Sequence, residues 1–391
     1  MRYLLSVSFM FFLISCNTNK KGTTEKDTIP IVEIGKAINN ISSSTKSFTE
    51  FIDSIKYIPL ETLPECNIEE IQKIICYKGD FYTWDYNSIL KFDANGKFIQ
   101  EIGKRGKGPK EYARVREFTI RDDILYINEG RKIVAYSTID GSFVSTSPFL
   151  NRWFVERLNN QFVTINADNG FIEFINEKGS ITDSVNYEHF SQDEISQNMM
   201  IYPIYDAFFG TSQSLKVSTS HNDTLFEINS RNQLIPRYIL DLGDYKLPDK
   251  ERLEYSGEFE KFDKSTTKLI RPVPLETNDY LIIQLGKWGA VSNLHNIGFY
   301  DKKADLLGFG IYDKKRNNFS LITEDLESYP FFFPHFSDEE NGLFSWGDAI
   351  DMINFYNKNN DKYNFCSPFI STVKKLKMEN NPVLVMVKLK E

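Results

Sequence analysis

From Asp80 to Leu240 the chain repeats one pattern four times: apolar and polar residues alternate, a turn intervenes, and the alternation resumes. The copies are "DFYTWDYNSILKFDANGKFIQEIG" (80–103), "DILYINEGRKIVAYSTIDGSFVST" (123–146), "QFVTINADNGFIEFINEKGSITDSV" (161–185) and "SLKVSTSHNDTLFEINSRNQLIPRYIL" (214–240). Their turns fall at Asn95-Gly96, Asp140-Gly141, Lys178-Gly179 and Arg231-Asn232. Alternation of period two predicts strands, and such dipeptides supply the positive φ of a tight hairpin. Successive turns lie 45, 38 and 53 residues apart, a period that suits propeller blades rather than solenoid units. A fifth copy is read over 278–286 with 296–322, and a sixth over 342–356 with 381–390. Six copies between Phe48 and Glu391 leave about 57 residues each, room for four strands and insertions.

One alternating segment, "SIKYIPLET" (54–62), stands alone before the first copy. A ring of sheets needs its last blade completed from the other end of the chain, so this segment is predicted to pair with "NPVLVMVKLK" (381–390). The expected fold is all-β: a six-bladed β-propeller of four-stranded antiparallel blades, closed by an N-terminal strand. Short helices are expected in the insertions 187–202, 246–270 and 367–380. Laying "FYTWD" beside "LFSWG", "ILYIN" and "FVTIN" puts Trp84 and Trp346 in register with Ile127 and Ile165, which predicts packing between blades. The aromatic run "YPFFFPHF" (329–336) is likewise expected to be buried.

The N-terminus changes the address. Residues 1–15 carry Arg2 and an apolar stretch too short to span a bilayer, the pattern of a secretory signal. Leu13-Ile14-Ser15-Cys16 resembles the bacterial lipobox, which makes Cys16 the expected lipidation site. Residues 16–47 are polar and read as a flexible tether, with the propeller body over 48–391. The expected location is the cell envelope, at the outer membrane and held by lipid alone, with a monomeric body; periplasmic and surface faces stay open.

Composition narrows the partners. A net charge of −8 argues against a general nucleic-acid binder. Beyond Cys16 only Cys66, Cys76 and Cys366 remain, without CxxC spacing, and buried thiols are expected rather than a disulfide framework. His189, His221, His295 and His335 are scattered singly. No metal or cofactor motif is present, and no catalytic one; the expectation leans against an enzyme.

The basic stretch "EIGKRGKGPKEYARVREF" (101–118) is not a phosphate loop. Pro109-Lys110 stands where a P-loop needs Lys then Ser or Thr, and Glu111 replaces the third glycine of a dinucleotide motif. It reads as a connector from the outer strand of one blade to the inner strand of the next. Together with "FDANGKFIQEIG", "HNDTLFEI" and the terminal "NPVLVMVKLK", it resembles the six-bladed β-propeller lipoproteins of Gram-negative anaerobes, relatives of NHL-repeat propellers. That resemblance implies the fold and little chemistry, because such propellers serve as scaffolds, binders and occasional enzymes.

Blade connectors ring one mouth of a propeller's channel. Lys104, Arg105, Lys107 and Lys110 either form an anion site there or are a solvated loop balanced by Glu101 and Glu111. Trp288, in "GKWGA", is a candidate exposed aromatic or a packed one. The expected function is a binding or interaction module for a glycan, peptide or envelope protein. The alternative is a lyase or hydrolase acting on polysaccharide at the channel mouth; a third reading is a structural partner of an uptake complex. Converging carboxylates in the mouth would favour the enzyme, an aromatic rim the binder.

Overall fold

The computed structural model describes residues 28–166, 169–187, 208–211, 214–219, 222–248, 264, 266, 268–287, 308–324 and 326–391. Trp288, Cys16, His189, His221, His295 and all of insertion 187–202 except Tyr187 lie outside the described residues, as does most of 246–270.

Three short strands come first: β1 (Ile31–Val32), β2 (Thr45–Ser47) and β3 (Ile52–Pro59). Blade 1 is β4–β7 (Lys73–Tyr77, Asp80–Trp84, Ile89–Phe92, Phe98–Glu101) and blade 2 is β8–β11 (Glu117–Arg121, Ile124–Asn128, Lys132–Ser137, Phe143–Pro148). Blade 3 is β12–β15 (Glu156–Leu158, Gln161–Asn166, Phe171–Ile175, Ile181–Asn186) and blade 4 is β16–β19 (Phe208–Thr211, Ser214–Thr219, Asn222–Ile228, Leu234–Leu240). Blade 5 is β20–β23 (Ile270–Glu276, Tyr280–Lys287, Gly308–Asp313, Asn318–Glu324). Blade 6 holds β24 (Phe336–Ser337), β25 (Gly342–Gly347), β26 (Val383–Leu389) and, as its outermost strand, β3. The ring closes as expected: β3 runs antiparallel to β26, with Val385 opposite Tyr57 and Val387 opposite Ile55.

The middle strands are buried on both sides, because each blade face meets a neighbour. Tyr126 packs toward blade 3 while the next residue, Ile127, packs toward blade 1. Leu281 and Ile282 divide in the same way between the interfaces with blades 4 and 6. Adjacent residues of a strand point to opposite faces, so a strand buried twice reads as a continuous apolar run. Trp346 is buried and Trp84 is half-buried against the blade 1–2 core, in line with the repeat. Phe331, Phe332 and Phe333 are buried as well, and the three cysteines among the described residues are free thiols.

The turn residues seen in the sequence have a second duty. Gly96, Gly141, Gly179 and Asn232 all have positive φ. A side chain at Gly96 would meet Pro59 O at 2.4 Å, and one at Gly179 would meet Pro148 O at 2.9 Å. In blades 1 to 4 the third-to-fourth-strand hairpin thus leans on the outer strand of the preceding blade. Asn232 does so through its side chain, donating to Asp183 Oδ2 at 3.0 Å.

Three expectations need correction. Residues 31–47, expected to be a loose tether, lie along the ring. β1 pairs in parallel with β19, β2 in parallel with β23, and α1 (Ile34–Asn39) and α2 (Ile41–Ser44) join them. Val32 and Ile34 are fully buried there, in the core shared by blades 4 and 5. Second, only Gly342–Gly347 of 342–356 is strand; α3 (Ala349–Asn359) follows, with Met352, Phe355 and Tyr356 at helical spacing turned toward the core. Third, blade 5 gains an unexpected inner strand, β20, despite Pro272 and Pro274. An inner strand has a free edge on the channel, where a missing N–H is tolerated. In insertion 367–380, α4 (Ser367–Val373) is the expected short helix.

The chain steps outward through each blade. First-to-second and third-to-fourth turns therefore share one face, and second-to-third turns share the opposite face with the blade-to-blade connectors.

Candidate functional site: the connector face

The position after the aligned Trp84, Ile127 and Ile165 is polar in three blades: Asp85, Asn128 and Asn166. These side chains organise the connector face. Asp85 Oδ1 accepts from the backbone N–H of Asn87 and Ser88, closing the β5–β6 loop. Tyr86 is held at that loop's tip with φ 69° and its ring exposed, set edge-on to Trp84. A left-handed aromatic residue is uncommon enough to mark the loop as a constrained one. Asn128, fully buried, donates from Nδ2 to the carbonyls of Arg152 and Trp153, which pins the next connector.

That pinning presents Trp153. Trp153 is 64% exposed, although tryptophan is usually well covered. One ring face carries the Arg116 guanidinium at 4.8 Å, while Arg116 Nη1 donates to Asn151 Oδ1. Arg116 Nε is buried and has no hydrogen-bond acceptor among the described residues. Burial and the neighbouring Arg114 both bring the Arg116 pKa down, so the guanidinium would gain from an anion. Arg114 Nε donates to Glu129 O, and the connector is further tied by Ala113 N–H to Glu129 Oε1.

The expected basic cluster divides. Lys104, Arg105, Lys107 and Lys110 are all exposed. Arg105 is engaged in the loop, Nη1 to Asn87 Oδ1 at 2.9 Å and Nε to Ala113 O at 3.3 Å. Lys110 turns outward, its Nζ 5.9 Å from the Phe143 ring on the outer strand of blade 2. Glu111 binds its own loop by accepting from Gly108 N–H. Lys104 and Lys107 make no ion pair among the described residues. The functional residues missed from sequence are Tyr86, Arg114, Arg116 and Trp153. The polar position shared in register by Asp85, Asn128 and Asn166 was the available signal.

A second group joins the inner strands of blades 1 to 3. Lys73 Nζ lies 2.7 Å from Glu117 Oε1, and Thr119 Oγ1 donates to Glu156 Oε2 at 2.6 Å. Burial raises the Glu156 carboxyl pKa, and Lys73 pulls it the other way. Among the described residues no group of three His, Cys, Asp or Glu side chains could hold a metal ion, and no helix is long and apolar enough to cross a membrane.

Fold and rim together define the class: a six-bladed β-propeller with an arginine-and-aromatic rim on its connector face. The family model described as "Domain of unknown function (DUF4934)" matches residues 29–388, and the chain belongs to that family. A Bacteroides fragilis protein inferred to be exported has a similar structure: TM-score 0.66 at 15% identity, covering 89% of this chain and 99% of that one. A virginiamycin B lyase from Staphylococcus aureus aligns with TM-score 0.40 at 14% identity, over 75% of this chain and 81% of that one. At such identities the first likeness shows the fold alone, and the second carries no argument about chemistry. No curated protein matches the chain by sequence.

Proposed function

We propose that this is a lipid-anchored cell-envelope propeller whose connector face binds an anionic glycan. The observation that carries the reading is Trp153, one ring face propped by the Arg116 guanidinium and the other open. An open indole face suits the apolar face of a sugar ring, and the partly buried Arg116 guanidinium suits its carboxylates or sulfates. Tyr86, Arg114, Lys104 and Lys107 extend the rim on the same face. Cys16 supplies the anchor through the lipobox-like Leu13-Ile14-Ser15 before it. The test is retention of chondroitin sulfate by membranes from cells making the full chain. Retention is expected, and Cys16→Ser should move it to the soluble fraction. Trp153→Ala with Arg116→Ala should weaken it by roughly a hundredfold, the scale of losing two binding hot spots. Unchanged retention by the double variant, beside a normal unfolding curve, would end this reading.

The inner-strand group supports a second reading, a polysaccharide lyase or hydrolase. Its observation is a pair of carboxyl groups in unlike environments: Glu117 pairs with Lys73 at 2.7 Å, while burial favours the protonated form of Glu156. The native state then binds the Glu156 proton more tightly than the unfolded chain does. Its contribution to stability is present at low pH and is lost as pH rises through the folded value. Glu156→Gln is therefore expected to lose stability relative to the wild type on acidification and to match or exceed it near neutrality. Urea titrations across that range check the shift. Product formed from chondroitin sulfate by the wild type and lost in Glu156→Gln would support the enzyme; parallel titrations would remove its basis.

A further inference from the structure

β3 is the outermost strand of its sheet. The outer strands of blades 4 and 5 are covered by β1 and β2, but β3 is not covered by any described strand. Its free groups can be assigned. Leu60 N–H donates to Pro382 O, and the register continues through Ile58↔Leu384 and Lys56↔Met386. Hydrogen-bonded pairs alternate along an antiparallel ladder, so Lys56 and Ile58 turn their backbone groups to β26 while Ile55 and Tyr57 turn theirs outward. Thr372 Oγ1, donating to Tyr57 O at 3.4 Å from the outer side, agrees with that direction. Ile55 N–H, Ile55 C=O and Tyr57 N–H have no partner among the described residues.

These groups line a groove of about 610 Å³ between α4 and the turn of blade 1 that contains Asn95. Ser367, Ser371 and Thr372 provide hydroxyl groups on one wall and Asn95 an amide on the other. Lys56 is the one charged residue among those lining it, and it is exposed with no ion pair among the described residues. Beyond α4, exposed Lys374, Lys375 and Lys377 continue the positive strip. Lys375 N–H donates to Thr372 O, so the strip begins at the groove wall.

We propose that this groove takes an extended acidic peptide segment of a partner protein as an added strand on β3. Main-chain hydrogen bonds would supply affinity, and the lysines would select the charge. The chain already uses this mode on itself, since β1 and β2 cover their blades with only two and three residues. A second copy of the chain is disfavoured as occupant, because pairing two β3 edges would bring like charge to like charge at Lys56. The site lies on the outer rim of the ring and does not depend on the connector-face reading.

The probe is a short peptide of alternating glutamate and valine, with an alternating lysine and valine peptide as control. Hydrogen exchange of the full chain should show protection within 52–59 with the acidic peptide and none with the basic one. Lys56→Glu, at an exposed site, should weaken acidic-peptide binding roughly tenfold and admit the basic peptide. Ile55→Pro removes one outward N–H and leaves the pairing with β26 intact, so it should reduce protection as well. Absence of protection at saturating peptide would overturn the proposal, as would binding indifferent to Lys56→Glu in a normally folded variant. Protection that grows with protein concentration alone would assign the edge to a second copy and overturn it too.

Discussion

A chain that begins at Leu60 is expected to lose its cooperative unfolding transition altogether. β3 covers the whole length of β26, from Pro59 opposite Val383 to Ile52 opposite Leu389. Its side chains serve two interfaces: Ile58 packs with blade 1, and Tyr57 packs toward blade 5 and donates its O–H to Pro330 O at 2.8 Å. Without β3 both interfaces open and β26 becomes a bare edge, so neither blade 6 nor its neighbours can bury their faces. Starting instead at Phe48 keeps β3 and removes only β1, α1, α2 and β2. That shorter loss removes the buried Val32 and Ile34, whose burial contributes about 1.5–3 kcal/mol each at most. It should lower the denaturation midpoint while leaving one transition, and the uncovered β19 and β23 edges should promote association. Circular dichroism through a guanidinium titration distinguishes the three chains. Full-length behaviour from the Leu60 chain would refute closure by β3.

The repeat could be read because two constraints act on the same residues. Gly96, Gly141 and Gly179 need positive φ and must also admit the backbone or side chain of the preceding blade, so glycine recurs at the same place in each copy. The twice-buried middle strands, such as "ILYIN" and "FVTIN", carry apolar runs for an equally general reason. The segment over 31–47 was not readable in this way. It docks largely through main-chain pairing to β19 and β23, which leaves no side-chain period, and its few apolar residues sit in a polar stretch. α3 was hidden for a different reason: "GDAIDMINFY" follows a real strand directly and has enough apolar residues to look like its continuation. The rim escaped because it is assembled across connectors. Arg116 and Trp153 are far apart in sequence and meet only when Asn128 pins the second connector. The inner-strand group has the same origin, since Lys73, Glu117 and Glu156 stand at the starts of three successive inner strands.

The largest single-residue effect is expected at Glu276, far from either proposed site. Its side chain is 2% exposed and lies between two cations from different blades. Lys216 Nζ of blade 4 approaches Oε2 at 2.7 Å, and Lys314 Nζ of blade 5 approaches Oε1 at 2.7 Å. Glu276→Ala leaves the buried Lys216 ammonium facing a hole, with Ser214 Oγ at 2.7 Å as its remaining hydrogen-bond acceptor among the described residues. Orphaning one member of such a buried group costs about 3–5 kcal/mol, whereas replacing the pair by apolar residues of similar volume is often neutral. Glu276→Met combined with Lys216→Met should therefore recover most of the loss. Lys314 tolerates the change better, because it also donates to the carbonyls of Thr277 and Asn278. Burial already lowers the Lys314 pKa, and Glu276 opposes that shift. Removing the carboxylate should lower it further, so the native variant binds fewer protons than its unfolded chain. Its stability should then rise with pH from neutrality toward the ordinary lysine range, and the deficit against wild type should narrow. Urea midpoints for the single and double variants, taken at neutral and alkaline pH, test both parts. A single variant with a wild-type midpoint at neutral pH would mean that the two lysines reach water without the carboxylate, and the ion group would not be what joins blades 4 and 5.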